Sequence, residues 1–186
     1  MKILNQNIKK QILTFGLILV AGFITHFINS FSHPAIILLL PGLLFGLALT
    51  IPHFDKSRKQ IIALTTLPVL VTLIYLFSIG IGLRFEFINN SYSDKTGVII
   101  VGIISSLTFI FVVDQYYPVE NKKTSYIVII VFGIISTLIC DYFFPTPHSK
   151  ELNLGEMIFN WELLVGLGLI IFTKFEWMTN QEKLTE

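Results

Sequence analysis

The sequence has few charged residues and a single cysteine. Asp, Glu, Lys and Arg make up 13% of its 186 residues, against roughly 25% in an average soluble domain. Apolar residues make up 53%, and so little charge cannot solvate the exterior of a soluble fold that must hide so much apolar surface. The net charge of +1 provides no electrostatic attraction for nucleic acid. We therefore predict a membrane-embedded protein and exclude a soluble enzyme, a nucleic-acid binder and a disordered tail.

Motifs for catalysis and for cofactor or metal binding are missing as well. Cys140 is alone, so it forms no intrachain disulfide and no CxxC motif. The sequence contains no G-x-S-x-G, H-E-x-x-H, Walker or G-x-G-x-x-G motif. The segment 166–169 has Leu169 where the GxGD motif of intramembrane aspartyl proteases requires aspartate. We predict no catalytic residue, no metal site and no cofactor, and we do not expect an enzyme.

Charge-free apolar runs divide the chain into six predicted transmembrane helices. The first run, 11–54, is 44 residues long, and the Asn-, Ser- and Pro-containing segment 29–34 divides it into two. A helical span needs about 20 residues to cross a hydrocarbon core of about 30 Å, whereas a transmembrane strand needs about half as many. The predicted spans are 11–29, 35–51, 60–83, 96–113, 124–140 and 157–173. The expected fold is an all-α integral membrane protein: one transmembrane domain, 1–186, of about six helices, with no soluble domain.

Basic residues predict the orientation of this bundle. With six spans, ten of the thirteen Lys and Arg residues fall on one side and three on the other, and short basic loops stay in the cytoplasm. We expect a multi-pass protein of the cell membrane, the inner membrane in a bacterium, with both termini cytoplasmic and an uncleaved first helix. Trp161 is expected at the outer lipid interface, where aromatic rings are enriched.

Ionisable residues near the outer side form the candidate binding site. Glu162 lies inside the sixth span and His26 inside the first, and an ionisable group within a span is a functional candidate because it is costly to bury. Asp141 and Arg84 lie at the outer ends of their spans. We predict an outward-facing polar pocket around Glu162, with the other three as neighbours, that binds a cation, a proton or a small polar solute. The alternative is that these groups reach the interface, pair with one another or cap helix ends.

Small residues indicate where helices approach each other. Gly42 and Gly46 form a GxxxG pattern in the second span, which allows two backbones to come close in lipid. Chance is the alternative, because glycine is common in transmembrane helices. Pro41 and Pro68 fall inside the second and third spans, where each removes a backbone donor.

Three classes of function remain. The favoured class is a membrane-embedded binding, accessory or regulatory protein, because intramembrane charge is so sparse; its partners are the lipid bilayer and either another membrane protein or further copies of the chain. The alternative is a small oligomeric transporter or channel that uses the pocket around Glu162. The third class, an intramembrane enzyme, has no motif to support it.

Overall fold

The described residues form an all-α structure. The computed structural model describes residues 2–29, 34–54, 57–89, 95–117, 119, 121–143 and 154–172, with side chains over 8–27, 39–54, 57–81, 99–117, 119, 121–139 and 158–171. The helices are α1 (Lys2–Asn29), α2 (Pro34–Thr50), α3 (Arg58–Asn89), α4 (Lys95–Tyr116), α5 (Lys122–Phe143) and α6 (Leu154–Phe172), with a 3₁₀ turn at Ile51–His53. The predicted all-α class is therefore confirmed for this part of the chain.

Four of these helices are long and apolar enough to cross a membrane. The qualifying segments are Ile8–Phe27, Arg58–Ile81, Ile99–Tyr116 and Lys122–Ile139, whereas the apolar segments of the second and sixth helices, Leu39–His53 and Ile158–Ile171, are shorter. The predicted second span, 35–51, extends one residue beyond α2, which ends at Thr50. Pro52 lies in the turn that follows, and its missing N–H cannot continue the α-helical hydrogen-bond ladder.

The helices form a closed ring in chain order. Each packs against the next, and α6 packs against both α5 and α1. Helices α1, α3 and α5 begin at one end of the ring, which we call the basic end because Lys10, Arg58 and Lys122 lie there; we call the opposite end the far end. Contacts between α2 and α6 cross the interior, so the centre of the ring is filled.

The closest approach is between α2 and α3, at the two glycines of the GxxxG pattern. A Cβ atom added at Gly42 would clash with Thr72 Cα and lie 2.7 Å from its nitrogen. One added at Gly46 would clash with Pro68 Cα and lie 2.8 Å from its nitrogen. Moving four residues forward on α2 corresponds to moving four residues back on α3, so the two helices run antiparallel in this register.

Helices α4 and α5 also approach closely at glycines. A Cβ added at Gly102 would lie 2.9 Å from Thr137 Oγ1, and one added at Gly133 would clash with Ser106 Oγ. These two contacts again pair residues four apart on each helix, so α4 and α5 are also antiparallel. Small residues therefore allow two neighbouring pairs of the ring to approach closely, as expected when helix association depends on van der Waals packing rather than on exclusion of water.

A layer of aromatic rings fills the interior. Phe45 from α2 and Phe109 from α4 stack with ring centroids 5.4 Å apart. Trp161 from α6 contacts both edge-on, at 6.0 and 5.3 Å, and Tyr75 from α3 meets Trp161 edge-on at 5.3 Å. We call these four residues the aromatic layer. The prediction that Trp161 lies at the lipid interface is wrong: its side chain is 4% exposed and packs in the centre of the ring, because α6 turns this face inward.

Candidate functional site

Glu162 is a buried carboxyl residue in the half of the ring nearer the far end. It follows Trp161 on α6 and has no exposed surface. Its Oε1 accepts a hydrogen bond from the Tyr75 hydroxyl at 3.2 Å. Its Oε2 is buried and has no hydrogen-bond partner among the described residues. A buried carboxyl with one oxygen unsatisfied is unusual, because buried polar atoms nearly always find a partner.

Helix α1 covers the free oxygen of this carboxyl. A Cβ added at Gly22 would lie 3.6 Å from Glu162 Oε2 and 2.7 Å from Cδ2 of the Phe159 ring. One turn toward the basic end, a Cβ at Gly166 of α6 would lie 2.9 Å from Ile18 Cδ1. Among the described residues, the side of Oε2 that faces α1 is therefore lined by backbone and apolar side chains.

His26 lies one turn beyond Gly22 on α1. Its side chain is exposed, and its ring centroid lies 6.1 Å from that of Phe159. It does not hydrogen-bond to Glu162 Oε2. The structure thus brings His26 to the α1–α6 contact near Glu162 without pairing the two side chains.

The other predicted members of the pocket cannot be placed in the same way. Arg84 belongs to α3 and Asp141 to α5, but both side chains lie outside the described residues. Among the described residues, no group of three or more His, Cys, Asp or Glu side chains is arranged to hold a metal ion.

A small cavity lies beside the aromatic layer, and Tyr75 and Trp161 form part of its lining. Its volume is about 30 Å³, and residues of helices α3, α4, α5 and α6 line it. Its lining consists of Tyr75, Ser78, Ile79, Val101, Ser105, Thr137, Ile158 and Trp161. No sequence pattern indicates this cavity, because its lining residues come from four helices and share no spacing along the chain.

The hydroxyl groups around the cavity point their protons at the backbone. Ser78 donates to the carbonyl of Ile74 at 2.7 Å and Ser105 to that of Val101 at 2.7 Å. Thr137 bonds to carbonyls one turn back on α5. A hydroxyl that donates in this way still has lone pairs free to accept. The accessible wall of this cavity is nevertheless almost entirely apolar.

Trp161 ties the aromatic layer to α4 through a hydrogen bond. Its indole N–H donates to Ser106 Oγ at 3.2 Å, and both side chains are buried. Since a buried indole N–H without an acceptor would cost about 1–3 kcal/mol, this bond fixes the orientation of the indole ring.

A second polar cluster closes the basic end, and sequence reasoning assigned it no role. The His53 side chain is 4% exposed. Its Nε2 lies 3.2 Å from the Thr14 hydroxyl oxygen, and its ring centroid lies 6.1 Å from that of Tyr117. Burial, together with the nearby charge of Lys10, lowers the pKa of His53 from 6.5 to about 4. The local signal that could have indicated this position is the Pro52-His53 sequence, which lies in the turn directly after the end of α2.

Asp114 is the anchor of the connection between α4 and α5. Its Oδ1 accepts from the Val119 amide at 3.1 Å. Its Oδ2 accepts from Lys122 Nζ at 2.7 Å and from the Tyr126 hydroxyl at 3.5 Å. This carboxylate has one donor from the backbone and two from α5, so it holds the short connection in place and has a structural role.

Comparison with known proteins gives no family assignment. No family model matches the chain, and neither the curated proteins nor the solved structures contain a significant match.

Proposed function

We propose that the protein is a multi-pass membrane protein in which all six helices cross the bilayer. The distribution of polarity supports this, since Glu162 lies in the interior whereas large apolar side chains face outward on every helix. Water would penalise that arrangement by about 25 cal/mol for each Å² of exposed apolar surface, whereas hydrocarbon solvates it. The outward-facing set includes Phe23, Phe27, Leu39, Leu73, Phe77, Phe111, Val131, Ile135 and Ile171.

The two shorter helices are long enough for this role. Helix α2 has 17 residues and α6 has 19, which at about 1.5 Å per residue gives about 26 and 29 Å. The hydrocarbon core is about 30 Å thick, and spans of about 17 residues are known. Both helices are therefore proposed to cross with little tilt.

The basic end is proposed to face the cytoplasm. The described basic side chains lie at this end, and basic residues favour the cytoplasmic side. Both termini are then cytoplasmic. In a Cys140→Ser background, Lys123→Cys is expected to be protected from a membrane-impermeant maleimide in intact cells, and Lys95→Cys is expected to react. The opposite labelling pattern would reverse the orientation.

Within the membrane, the protein is proposed to act as a binding or regulatory protein whose ligand-binding group is Glu162. The observation that carries this proposal is the aromatic layer, because Phe45, Phe109 and Trp161 fill the centre of the ring where an open channel would need space. A closed interior favours binding over conduction. Another membrane protein or a second copy of the chain remains the proposed partner.

Transport is the second candidate, and the free Oε2 of Glu162 favours it. An ionisable group that is buried in a membrane helix and left without a partner is a common feature of proton and ion pathways. The closed aromatic layer would then have to open during each transport cycle.

One experiment separates these two functions. The purified protein and its Glu162→Gln variant are reconstituted into vesicles that carry a pH-sensitive dye, and in parallel the pH-dependent carboxyl band is recorded by infrared spectroscopy. A binding protein is expected to show a Glu162 band and no proton flux above protein-free vesicles. Flux that is lost in Glu162→Gln would establish transport instead, and a spectrum identical to that of Glu162→Gln would remove Glu162 from the site. Lys123→Gln, which removes an exposed charge at the basic end, is the control.

A further inference from the structure

The cavity beside the aromatic layer has a lining that suits an apolar ligand. Its accessible wall is almost entirely apolar, and the cavity is half open to the outside. Ser78, Ser105 and Thr137 belong to the lining, but their hydroxyl groups donate to carbonyls of their own helices. Because this local bonding satisfies the hydroxyl protons, these three residues present little polarity to a ligand.

The volume of the cavity, about 30 Å³, limits the size of that ligand. A buried water needs two to four polar partners, which the apolar wall does not offer. A ring-sized ligand is too large, since a cavity that binds benzene has a volume of about 150 Å³. The space fits about two groups of the size of a water molecule, which matches one or two carbon atoms of an unbranched alkyl chain. The rest of such a chain can remain outside, because the cavity is half open.

The outer surface near the cavity indicates the source of an alkyl chain. Phe77 is exposed and directly precedes the lining residue Ser78 on α3, and the exposed Leu107 lies two residues after Ser105 on α4. Ile135 on α5 is exposed as well. In the proposed function the ring crosses the bilayer, so the acyl chains of lipids cover these side chains. The inference below rests on that membrane placement, but it concerns a site other than Glu162.

We propose that a segment of a lipid acyl chain occupies this cavity and lies against Tyr75 and Trp161. Neither the chain nor the wall leaves water when they meet within the bilayer, so the exclusion of water contributes little. The gain comes from van der Waals contacts, which the lining atoms lack on the side of an empty space. The cavity is therefore a lipid-binding site in the ring.

Trp161 provides a reporter within this site. It lines the cavity, and its hydrogen bond to Ser106 holds the indole in place. The chain has two tryptophans, so Trp177→Phe leaves Trp161 as the single one. Bromine atoms quench tryptophan fluorescence at short range. The full-length variant is reconstituted into phosphatidylcholine vesicles with or without bromine on the acyl chains, and Trp161 is expected to lose at least about half of its fluorescence in the brominated vesicles.

Variants that fill the cavity separate a chain inside it from lipid that covers the ring. In the Trp177→Phe background, Ser78→Leu is expected to protect Trp161 from quenching. Ser105→Leu is the second filling variant, for the case that Ser78→Leu does not fold. Thr65→Leu, at an exposed position of the same helix as Ser78, is the matched control and is expected to leave the quenching unchanged. Equal quenching with the open and the filled cavity would overturn the site.

A tryptophan on the outside of the ring tests the membrane placement independently. Phe77→Trp, in a background with Trp161→Phe and Trp177→Phe, is expected to be quenched by the brominated lipid. Quenching of this outer tryptophan without quenching of Trp161 would overturn the acyl-chain site and leave the ring in the bilayer. If neither is quenched, the proposed membrane placement itself fails. Quenching of Trp161 by a soluble bromoalkane but not by brominated lipid would overturn the lipid as the source of the chain.

Discussion

Substitution of Gly46 by alanine tests the register of the ring where two backbones are closest. The added methyl group would meet Pro68 Cα and lie 2.8 Å from the proline nitrogen. Both atoms belong to the backbone of α3, so no side-chain rotation relieves the clash. Either α2 or α3 has to move along a contact that also includes Gly42 and Thr72.

The expected loss follows from the cost of overpacking. Forcing an extra methyl or methylene group into a packed core costs typically about 1–3 kcal/mol. At a helical position with open space, Gly→Ala gains up to about 1 kcal/mol from helix propensity instead. Gly16 and Gly80 have no atom within 4 Å of an added Cβ, so they are the matched controls. The gap between Gly46→Ala and Gly16→Ala is therefore expected to be about 2–4 kcal/mol.

The assay is reversible unfolding in mixed micelles with increasing SDS, followed by circular dichroism. Gly42→Ala is expected to behave like Gly46→Ala, and the double variant should lose less than the sum, because one displacement of α2 relieves both contacts. Thr72→Ala should not rescue Gly42→Ala, since the clash involves Thr72 Cα and N. Equal stability of Gly46→Ala and Gly16→Ala would refute the α2–α3 register and the antiparallel pairing inferred from it.

Three further predictions test the other contacts. Trp161→Phe removes the hydrogen-bond donor to Ser106 and leaves a void in the aromatic layer. The free energy of unfolding should therefore fall by about 1–3 kcal/mol in the same assay. An unchanged value would contradict the buried position of the Trp161 ring. Asp114→Asn should destabilise more than Lys122→Met, because the carboxylate also accepts from a backbone amide; the reverse order of unfolding midpoints would contradict the anchoring role. The pKa of His53 is about 4 in the folded protein, against 6.5 for an unperturbed histidine. The unfolded chain therefore binds more protons between these two pH values. The free energy of unfolding should be greatest above pH 6.5 and should fall by about 3 kcal/mol as the pH drops to about 4. His53→Gln should remove this slope, and a slope that persists in the variant would assign it to another group.

Glu162 could be identified as a candidate from the sequence, but the residues that it contacts could not. Glu162 could be singled out because a lone carboxylate in an apolar run is informative wherever its helix packs. Its partner Tyr75 is 87 residues away, and no local pattern connects the two. For Trp161 the sequence led to the wrong position. The amphipathic character of tryptophan predicts a lipid interface, whereas the packing of α6 directs the indole toward Ser106.

The sequence by itself determined the all-α class, the approximate helix limits and the glycines at which α2 can be approached. These are local properties: hydropathy depends on neighbouring residues, and the spacing of Gly42 and Gly46 is a feature of one helix. Tertiary structure decided that Thr72 and Pro68 are the partners of those glycines. It also decided that the ring closes through α6 onto α1, and that Tyr75 both lines a cavity and donates a hydrogen bond to a buried carboxyl. The physical reason is that each of these features depends on atoms from separate helices, whose distances are fixed only when the whole ring packs.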